Sequence, residues 1–254
     1  MYRNSVDSGV DIWLTRINPL TDEHRHSFQT VLSSEEQKRF VRYIAPSAAD
    51  QFLVARALLR LTLSHYWATP PHLWKFETNK YGKPFVTQPA PGCNLAFNIS
   101  HTHGLVACAV SDTALVGVDV EDLSRELNFM ALARHSFSPC EASALEHLTA
   151  QHLADRFYTL WTLKESYIKA RGMGLSIPLD SFWFSADDLP PRIHFSAQVQ
   201  DKSEDWHFES IRLDQTHRLA IALQPRGKQA ISSRLRWISP DDLCQALQSE
   251  GVIS

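Results

Sequence analysis

Two acidic residues stand two positions apart in an alternating segment of the sequence. Asp119 and Glu121 alternate with valines along residues 116–121, which is the period-two pattern of a half-buried strand. Residues two apart on a strand point to the same face, so the two carboxylates converge. Convergent carboxylates suit a hard cation such as Mg²⁺, which prefers oxygen ligands. A solvated strand face has the same pattern, so a third carboxylate is needed to distinguish the two interpretations.

A helical pattern over residues 151–171 supplies further charged side chains. Lys164 falls within an apolar stripe at helical spacing, where a lysine is costly unless it is paired. Glu165 and Lys169 lie at the edge of that stripe, four residues apart. One interpretation is a solvated Glu–Lys pair, with Lys164 extending to water. The other is a third carboxylate facing the strand acids, beside lysines that bind phosphate.

Two short polar segments have side chains suited to anions or metals. In residues 98–104 (NISHTHG), His101 and His103 are a possible metal pair, and Ser100 and His101 equally suit hydrogen bonds to phosphate. Residues 80–84 (KYGKP) form a tight basic loop whose glycine permits close backbone approach and whose Lys83 can contact phosphate. Both segments are also compatible with ordinary polar turns.

The elements that position these residues occur twice in the same order. A helix is predicted from Pro46 to before Pro70, followed by a hairpin of strands at residues 95–99 and 105–110. The helix at residues 151–171 stops at Gly172 and is likewise followed by strands. Those strands are predicted at residues 181–185, 192–199, 206–213 and 218–223, and the last two form a hairpin.

The repeated order predicts an α+β fold of two similar α/β halves. We expect the halves at residues 1–111 and 112–225. Residues 226–254 are predicted to be a C-terminal appendage with a short helix near residues 241–248.

The composition is that of an ordinary globular protein. The chain has 254 residues, 44% of them hydrophobic, and a formal net charge of −3, which does not favour nucleic-acid binding. Four scattered cysteines without a CxxC pair predict neither disulfides nor zinc. No apolar run approaches the roughly 20 residues of a membrane span, and no signal-peptide pattern begins the chain. We therefore expect a cytoplasmic protein that binds neither nucleic acid nor membrane.

Four motifs carry a family resemblance. They are residues 81–84 (YGKP), 97–101 (FNISH), 117–121 (GVDVE) and 161–169 (WTLKESYIK). Their order and spacing resemble the 4′-phosphopantetheinyl transferases of the monomeric, surfactin-synthetase-activating type, over roughly residues 32–223. The resemblance implies a pseudo-twofold fold of two α/β halves, with coenzyme A bound between them, and a monomer.

The resemblance also implies an activity. Such enzymes transfer the 4′-phosphopantetheine arm of coenzyme A to a serine of an apo acyl or peptidyl carrier protein. The reaction needs Mg²⁺ and releases adenosine 3′,5′-bisphosphate. The carriers are acidic helical bundles, and we expect docking near residues 125–135, which follow the acidic strand.

The resemblance further implies roles for individual residues. The implied magnesium ligands are Asp119, Glu121 and Glu165. The implied contacts with coenzyme A are Arg39 and Arg42 (3′-phosphate), Lys83 (adenine nucleotide), Ser100, His101 and Lys169 (phosphates), and Lys164. The expected catalytic residues are Glu165, Lys169 and Glu121, with Glu165 as the first candidate for the general base, directly or through a water.

Two acidic residues complicate the resemblance. Glu36 occupies a position where a second basic residue is implied, with Lys38 as a possible substitute. Glu141 matches an acidic residue with a suspected catalytic role, but it also fits a capping box that begins at Ser138. Both interpretations of Glu141, as a catalytic residue and as part of the cap, stay open.

Two other functions remain in competition. One is a metal-dependent hydrolase that uses His101, His103, Asp119 and Glu121 on zinc or manganese, which leaves residues 161–169 unexplained. The other is a non-catalytic protein that binds coenzyme A or a carrier. Binding alone does not require three carboxylates, so the sequence favours the transferase.

Overall fold

The computed structural model describes residues 6, 9–17, 19–88, 92–112, 114–226 and 232–249. The chain divides into two compact units. Unit 1 comprises Met1–Asn79, Pro84–Thr113 and Ala230–Ser254, and unit 2 comprises Lys80–Lys83 and Ala114–Gln229. None of the helices in the described ranges combines the length and the hydrophobicity needed to cross a membrane.

Groups of helices and groups of strands follow one another along the described chain. The strands are β1 (Gly9–Arg16), β2 (Lys75–Thr78), β3 (Pro84–Gln88), β4 (Ala96–Thr102), β5 (Leu105–Ser111), β6 (Ala114–Asp122), β7 (Phe182–Ser185), β8 (Arg192–Phe195), β9 (His207–Arg212), β10 (His217–Pro225) and β11 (Ser232–Trp237). The helices are α1 (Asp22–Gln29), α2 (Ser34–Phe40), α3 (Pro46–Tyr66), α4 (Phe129–Ser136), α5 (Pro139–Glu146), α6 (Ala150–Arg171) and α7 (Pro240–Gln248). The predicted α+β class is confirmed.

Unit 1 is built on a four-stranded sheet in the order β11-β1-β5-β4. β5 pairs antiparallel with both β1 and β4, whereas β11 lies parallel to β1. The long helix α3 packs against this sheet through leucines at helical spacing, among them Leu58 and Leu61, which are fully buried. Pro46 starts α3 because a proline in the first turn has no intrahelical hydrogen bond to lose.

Unit 2 is built on a three-stranded antiparallel sheet in the order β6-β10-β9. Helix α6 packs against β6 and β10, and a largely aromatic core forms around it, including Phe157, Tyr167 and Phe208. The helix stops at Gly172, whose φ of +63° is a left-handed conformation that glycine adopts without steric cost. This sheet and α6 carry the residues of the candidate active site.

The two units share one connectivity. Each contains a first strand (β1 or β6), then a long helix (α3 or α6), then a hairpin whose last strand is central in the sheet. The predicted order of a long helix followed by a hairpin is therefore confirmed in both units. The first strand of unit 1, β1, was not predicted, because its residues are buried on both faces and lack the period-two pattern.

The predicted C-terminal appendage is instead part of unit 1. β11 adds an edge strand to β1, and α7 packs against α1 and α3. The three partners, β1, α1 and α3, all lie in the first part of the chain, so no local pattern in the C-terminal sequence could reveal them. The short predicted helix exists as α7, with Ser239 as its N-cap.

Two strand predictions also differ from the structure. The strand β6 was expected to be half-buried, but its residues 116–120 are buried on both faces. The strand predicted over residues 192–199 ends at Phe195. Hydrophobic alternation underestimates burial wherever a polar residue is covered by a neighbouring helix, as Asp119 is covered by α6.

A buried carboxylate links the C-terminal strand to the core of unit 1. Asp11 on β1 is only 2% exposed. It accepts hydrogen bonds from Tyr66 Oη and from Arg236 Nε, the latter at 2.9 Å, and Arg234 lies 3.7 Å away. Burial, followed by the hydrogen bond to Asp11, raises the pKa of Tyr66, so this phenol stays protonated and donates. β11 thus supplies the cationic partners of a charge that burial would otherwise make costly.

We expect Arg236→Met to destabilise the protein by roughly 2 kcal/mol, because it leaves the Asp11 carboxylate buried with fewer cationic partners. The second substitution Asp11→Asn should recover much of that loss by removing the charge. Urea unfolding measures both, with Arg192→Met on the exposed side of β8 as the control. Equal stability of the Arg236 and Arg192 variants would show that the ion pair does not hold the C-terminal strand.

Candidate active site

The site begins with the packing of strand β6 against helix α6. Gly117, Asp119 and Glu121 share one face of β6, and this face lies against α6. Trp161 Nε1 lies 3.2 Å from a carboxylate oxygen of Glu121, and Lys169 Nζ contacts Asp119. The helix therefore runs antiparallel to the strand. The nine steps from Trp161 to Ala170 on the helix and the four steps from Gly117 to Glu121 on the strand both span about 13 Å, so contacts at one end of the pair are matched by contacts at the other.

Gly117 sets the distance between these two elements. A Cβ atom at this position would overlap the carbonyl oxygen of Ser166 and the backbone nitrogen of Ala170. Only glycine therefore allows the backbones of β6 and α6 to approach this closely. The close approach brings the carboxylates on β6 within reach of the side chains on α6.

The helix presents one stripe of side chains with partial exposure. Between residues 161 and 170, only Trp161, Glu165 and Lys169 are not buried, and they are spaced four residues apart. Lys169 Nζ forms an ion pair with Asp119 Oδ1 at 2.6 Å, and the Asp119 side chain is only 5% exposed. The predicted site residues Asp119, Glu121, Glu165 and Lys169 thus lie together on the facing sides of β6 and α6.

The electrostatics show that the three carboxylates interact. Burial and then the charge of Asp119 raise the pKa of Glu121 to about 7. The same two causes raise the pKa of Glu165, while the Lys169 ammonium opposes the shift for both. Each glutamate therefore feels the negative charge of Asp119, and near neutral pH Glu121 is poised between its two protonation states.

The donor set fits a hard cation, although it is not preassembled as a metal site. Carboxylate oxygens are the ligands that Mg²⁺ prefers, and a cation would relieve the mutual repulsion of Asp119, Glu121 and Glu165. Among the described residues, no three His, Cys, Asp or Glu side chains meet the geometry of a metal site. In this arrangement the ammonium of Lys169 is the cation bound to Asp119.

Lys164 lies in a different environment from Lys169. Its side chain is 0% exposed, and its Nζ contacts Glu141 Oε2 at 2.8 Å and the carbonyl oxygens of Leu179 at 2.8 Å and Phe182 at 2.6 Å. Burial lowers the pKa of Lys164, and the charge of Glu141 opposes that shift. All of these partners belong to the protein interior, and the partner is Glu141 rather than Glu165. This position does not fit the predicted contact of Lys164 with coenzyme A.

Glu141 has a structural environment as well. Its Oε2 accepts hydrogen bonds from the backbone nitrogen and hydroxyl of Ser138, completing the capping box at the start of α5. Its other oxygen accepts from the backbone nitrogen of Phe184 at 3.0 Å. With both oxygens engaged and the residue 4% exposed, Glu141 has the geometry of a cap and ion-pair partner.

Lys83 lies at the C-terminal end of α6. Its Nζ donates to the carbonyl oxygens of Ala170 at 2.7 Å and Val116 at 3.3 Å, which satisfies one of the terminal carbonyls of the helix. Burial lowers the pKa of Lys83 to about 8. The basic loop of residues 80–83 therefore belongs to unit 2, with its lysine against α6.

The predicted phosphate-binding segment of unit 1 is largely strand. β4 continues to Thr102, so the turn shortens to His103 and Gly104, whose φ is +75°. Ser100 is buried and His101 is exposed, because adjacent residues of a strand point to opposite faces. Within the described ranges, no third His, Cys, Asp or Glu completes a metal site with His101 and His103. The zinc or manganese hydrolase therefore gains no support.

The predicted basic residues for the 3′-phosphate lie on and after α2. Arg39 and Arg42 are exposed, and the guanidinium of Arg39 stacks on Phe52 at 5.4 Å. Glu36 lies between two arginines of α3, 3.3 Å from Arg56 and 2.6 Å from Arg60, and it also caps α2. Glu36 thus neutralises positive charge on two arginines of α3. One of them, Arg56, also stacks on Phe52.

Sequence reasoning missed two neighbours of the carboxylates. Trp161 donates its indole N–H toward Glu121, and Arg125 lies 4.0 Å from the same carboxylate. The large apolar ring of a tryptophan at helical spacing indicates a core position, so the pattern does not predict its N–H contact with a carboxylate. An i,i+4 spacing predicts a side-chain contact only within a helix. Glu121 lies in a strand and Arg125 in the turn after it, so the spacing did not predict their proximity.

Two family models match the chain. One, described as the 4′-phosphopantetheinyl transferase superfamily, matches residues 115–223, and one described as 4′-phosphopantetheinyl transferase, N-terminal, matches residues 16–113. The first match contains all of Asp119, Glu121, Glu165 and Lys169. The boundary between the two matches falls at the boundary between the two structural units.

Curated relatives agree with the family models. The chain is 31% identical to the 4′-phosphopantetheinyl transferase Sfp of Bacillus subtilis over 207 residues, covering 80% of this chain and 87% of the relative. It is 35% identical to the 4′-phosphopantetheinyl transferase gsp of Aneurinibacillus migulanus over 186 residues, covering 73% and 75% of the two chains. The chain therefore belongs to the 4′-phosphopantetheinyl transferases.

We expect Lys164→Met to destabilise the protein by about 3–5 kcal/mol, because it leaves the Glu141 carboxylate buried without its counter-charge. The double variant Glu141→Gln with Lys164→Met should recover much of the stability in urea unfolding and bind coenzyme A as the wild type does. If the double variant is stable but has lost affinity for coenzyme A, Lys164 contacts the ligand as the sequence predicted.

Proposed function

We propose that this protein transfers the 4′-phosphopantetheine arm of coenzyme A to a serine of an apo carrier protein, releasing adenosine 3′,5′-bisphosphate. The observation that carries the proposal is the convergence of Asp119, Glu121 and Glu165 around Lys169 on the facing sides of β6 and α6. These residues lie within the segment that matches the transferase superfamily.

The three carboxylates are the proposed ligands of Mg²⁺. When bound, the ion supplies positive charge against the diphosphate of coenzyme A, which reduces the repulsion that an incoming nucleophile meets. Asp119 and Glu121 are fixed by the strand, and Glu165 by the helix, so the ligands come from two elements whose spacing Gly117 sets.

A carboxylate is the proposed base for the serine proton. The serine oxygen forms a bond to the phosphorus that carries pantetheine, the bridging P–O bond breaks, and the hydroxyl proton passes to the base. In the cation-free protein, burial and the charge of Asp119 raise the pKa of Glu121 to about 7 and also raise the pKa of Glu165, so both carboxylates accept a proton more readily than an exposed carboxylate does. Glu165 remains the first candidate and Glu121 the second, whereas both oxygens of Glu141 are occupied.

Lys169 is proposed to stabilise the charge that grows on the leaving diphosphate oxygen. Its side chain is 28% exposed and its ammonium is already bound to an anionic oxygen of Asp119, so it can exchange one anionic partner for another. We propose further contacts with coenzyme A from Lys83, Ser100, His101, Arg39 and Arg42, each at the position that the resemblance implies. Lys164 is not included, because its partners are internal.

We also propose a pseudo-twofold relation of the two units, an oligomeric state, a cellular location and a docking region. The connectivity shared by the two units supports the predicted pseudo-twofold relation. We propose a monomer because the resemblance implies one, keep the expected cytoplasmic location as a proposal, and propose docking of the carrier near residues 125–135 because this segment adjoins the acidic strand. The Arg125 side chain is 57% exposed, and its Nη1 lies 4.0 Å from Glu121 Oε2. An exposed cation this close to the carboxylates supports that docking region.

The reaction is tested by the intact mass of apo carrier proteins incubated with the protein, coenzyme A and Mg²⁺. A mass gain of one phosphopantetheine is expected, and it should vanish with chelator or when the acceptor serine is replaced by alanine. Asp119→Asn should abolish the gain with its fold intact by circular dichroism. Glu209→Gln, a matched change on the same sheet, should keep it. Transfer at the wild-type rate by the Asp119 variant would overturn the site assignment.

Lys169→Met should lower the turnover number by about 10²–10³-fold, as the loss of one contact to a developing anion does elsewhere. The same change frees Asp119 from its ammonium partner, so Mg²⁺ binding, measured by calorimetry, should be as tight as in the wild type or tighter. Lys202→Met, on an exposed loop, is the control. A normal turnover number in the Lys169 variant would assign charge stabilisation to another residue.

A further inference from the structure

Two adjoining cavities lie beside the N-terminal half of α6 in unit 2. They measure about 390 and 410 Å³ and share His152 and Asp155 in their walls. Leu123 and Arg212 line the first, and Arg218 lines the second. None of these residues belongs to the proposed machinery of transfer, so the cavities call for a separate explanation.

The cavities carry an excess of positive charge. Their walls hold three arginines, Arg156, Arg212 and Arg218, but only two carboxylates, Asp155 and Asp187. A single oxygen of Asp155 accepts from Arg212 at 2.8 Å and from Arg218 at 2.7 Å, while Asp187 pairs with Arg156. One carboxylate cannot neutralise two guanidinium groups, so a net charge of about +1 remains before His152 is considered.

The guanidinium groups are held in place before any ligand arrives. The Arg218 side chain is 10% exposed and also donates to Ser210 Oγ at 3.2 Å, and its Nε has no hydrogen-bond partner among the described residues. Arg212 also donates to the carbonyl oxygens of Asp214 and Gln215. Fixed cationic donors of this kind lose little conformational entropy when they bind an anion.

The cavities lie next to the catalytic carboxylates on the same sheet. Arg218 is the cross-strand partner of Glu121, and Arg212 is the cross-strand partner of Arg218, so the three share one face. Strands are about 4.8 Å apart, which places the Cα atom of Arg212 about 10 Å from that of Glu121. A protein that covers about 800 Å² around the carboxylates would therefore also cover the arginines.

The walls combine this charge with apolar surface. Leu148, Ala186 and Pro191 line the second cavity, and Leu189 at its rim is 94% exposed. An acidic side chain that projects from an otherwise apolar helix face matches both features. A protein surface can supply both the negative charge and the apolar contact, whereas a small inorganic anion would leave the apolar rim without a partner.

We propose that Arg156, Arg212 and Arg218 form the docking cavity for an acidic side chain of the carrier protein. The inference rests on the proposed function, because it takes the macromolecular substrate of that reaction as the occupant. It predicts that carriers modified efficiently present an Asp or Glu within about 20 Å of the acceptor serine, since Arg218 and Arg212 lie one and two strands from Glu121, about 5 and 10 Å away, and a standard interface extends somewhat further.

The test is the double variant Arg156→Gln with Arg212→Gln. It keeps Arg218 as the partner of Asp155, so the buried ion pair and the fold remain. With a carrier that the wild type modifies, we expect the KM for the carrier to rise roughly tenfold, while kcat and the KM for coenzyme A stay unchanged. The matched control, Lys75→Gln with Lys202→Gln, removes the same charge from exposed positions elsewhere and should behave as wild type.

Binding and charge reversal separate this proposal from the proposed function. Anisotropy with a labelled carrier whose acceptor serine is alanine measures docking without chemistry, and the double variant should bind it more weakly. Arg212→Glu should be rescued in part by an Asp or Glu→Lys change on the carrier. An unchanged carrier KM and affinity, or a rise in the KM for coenzyme A instead, would overturn the docking site. If the wild-type protein binds the alanine carrier but never transfers phosphopantetheine to the same carrier with its serine, the proposed function alone would be overturned.

Discussion

The approach of helix α6 to strand β6 at Gly117 is the constraint on which the site depends. Because a Cβ atom at Gly117 would overlap the backbone of Ser166 and Ala170, any larger residue would push the helix away from the strand. The contact at this end fixes the register of the whole pair, so Lys169 meets Asp119 and Trp161 meets Glu121. A backbone contact two residues before Asp119 therefore decides the geometry of the carboxylates.

The same helix carries two lysines with opposite tasks, and their neighbours explain the difference. Lys164 is fully buried and bound to Glu141 and to two carbonyl oxygens, which ties α6 to α5 and β7. Lys169 is partly exposed and forms an ion pair with Asp119. A buried ammonium whose partners are internal holds the fold, whereas an ammonium at the edge of the site can exchange its partner for a ligand.

Equivalent buried acids of the two units have different partners. Both first strands contain Gly-Val-Asp, with Asp11 in β1 and Asp119 in β6, and both acids are buried. Asp11 is neutralised by Tyr66 and by Arg236 from the added C-terminal strand, while Asp119 has the Lys169 ammonium. In unit 1 the carboxylate joins the C-terminal segment to the core, and in unit 2 the corresponding carboxylate belongs to a site. The C-terminal strand β11 thus marks the difference between two units of common connectivity.

The sequence by itself determined the long helices and the two hairpins, because periodicity and caps are local, while Asp119, Glu121, Glu165 and Lys169 were named together only through short motifs that resemble a family. It did not determine the partner of Lys164, the buried faces of β1 and β6, or the pairing of β11 with β1. The pairing of β11 with β1 joins residues more than 200 positions apart, the partner of Lys164 lies on another helix, and the buried faces depend on which helix covers a strand. Only the tertiary structure could decide them, since the energy of a buried charge depends on the groups that surround it.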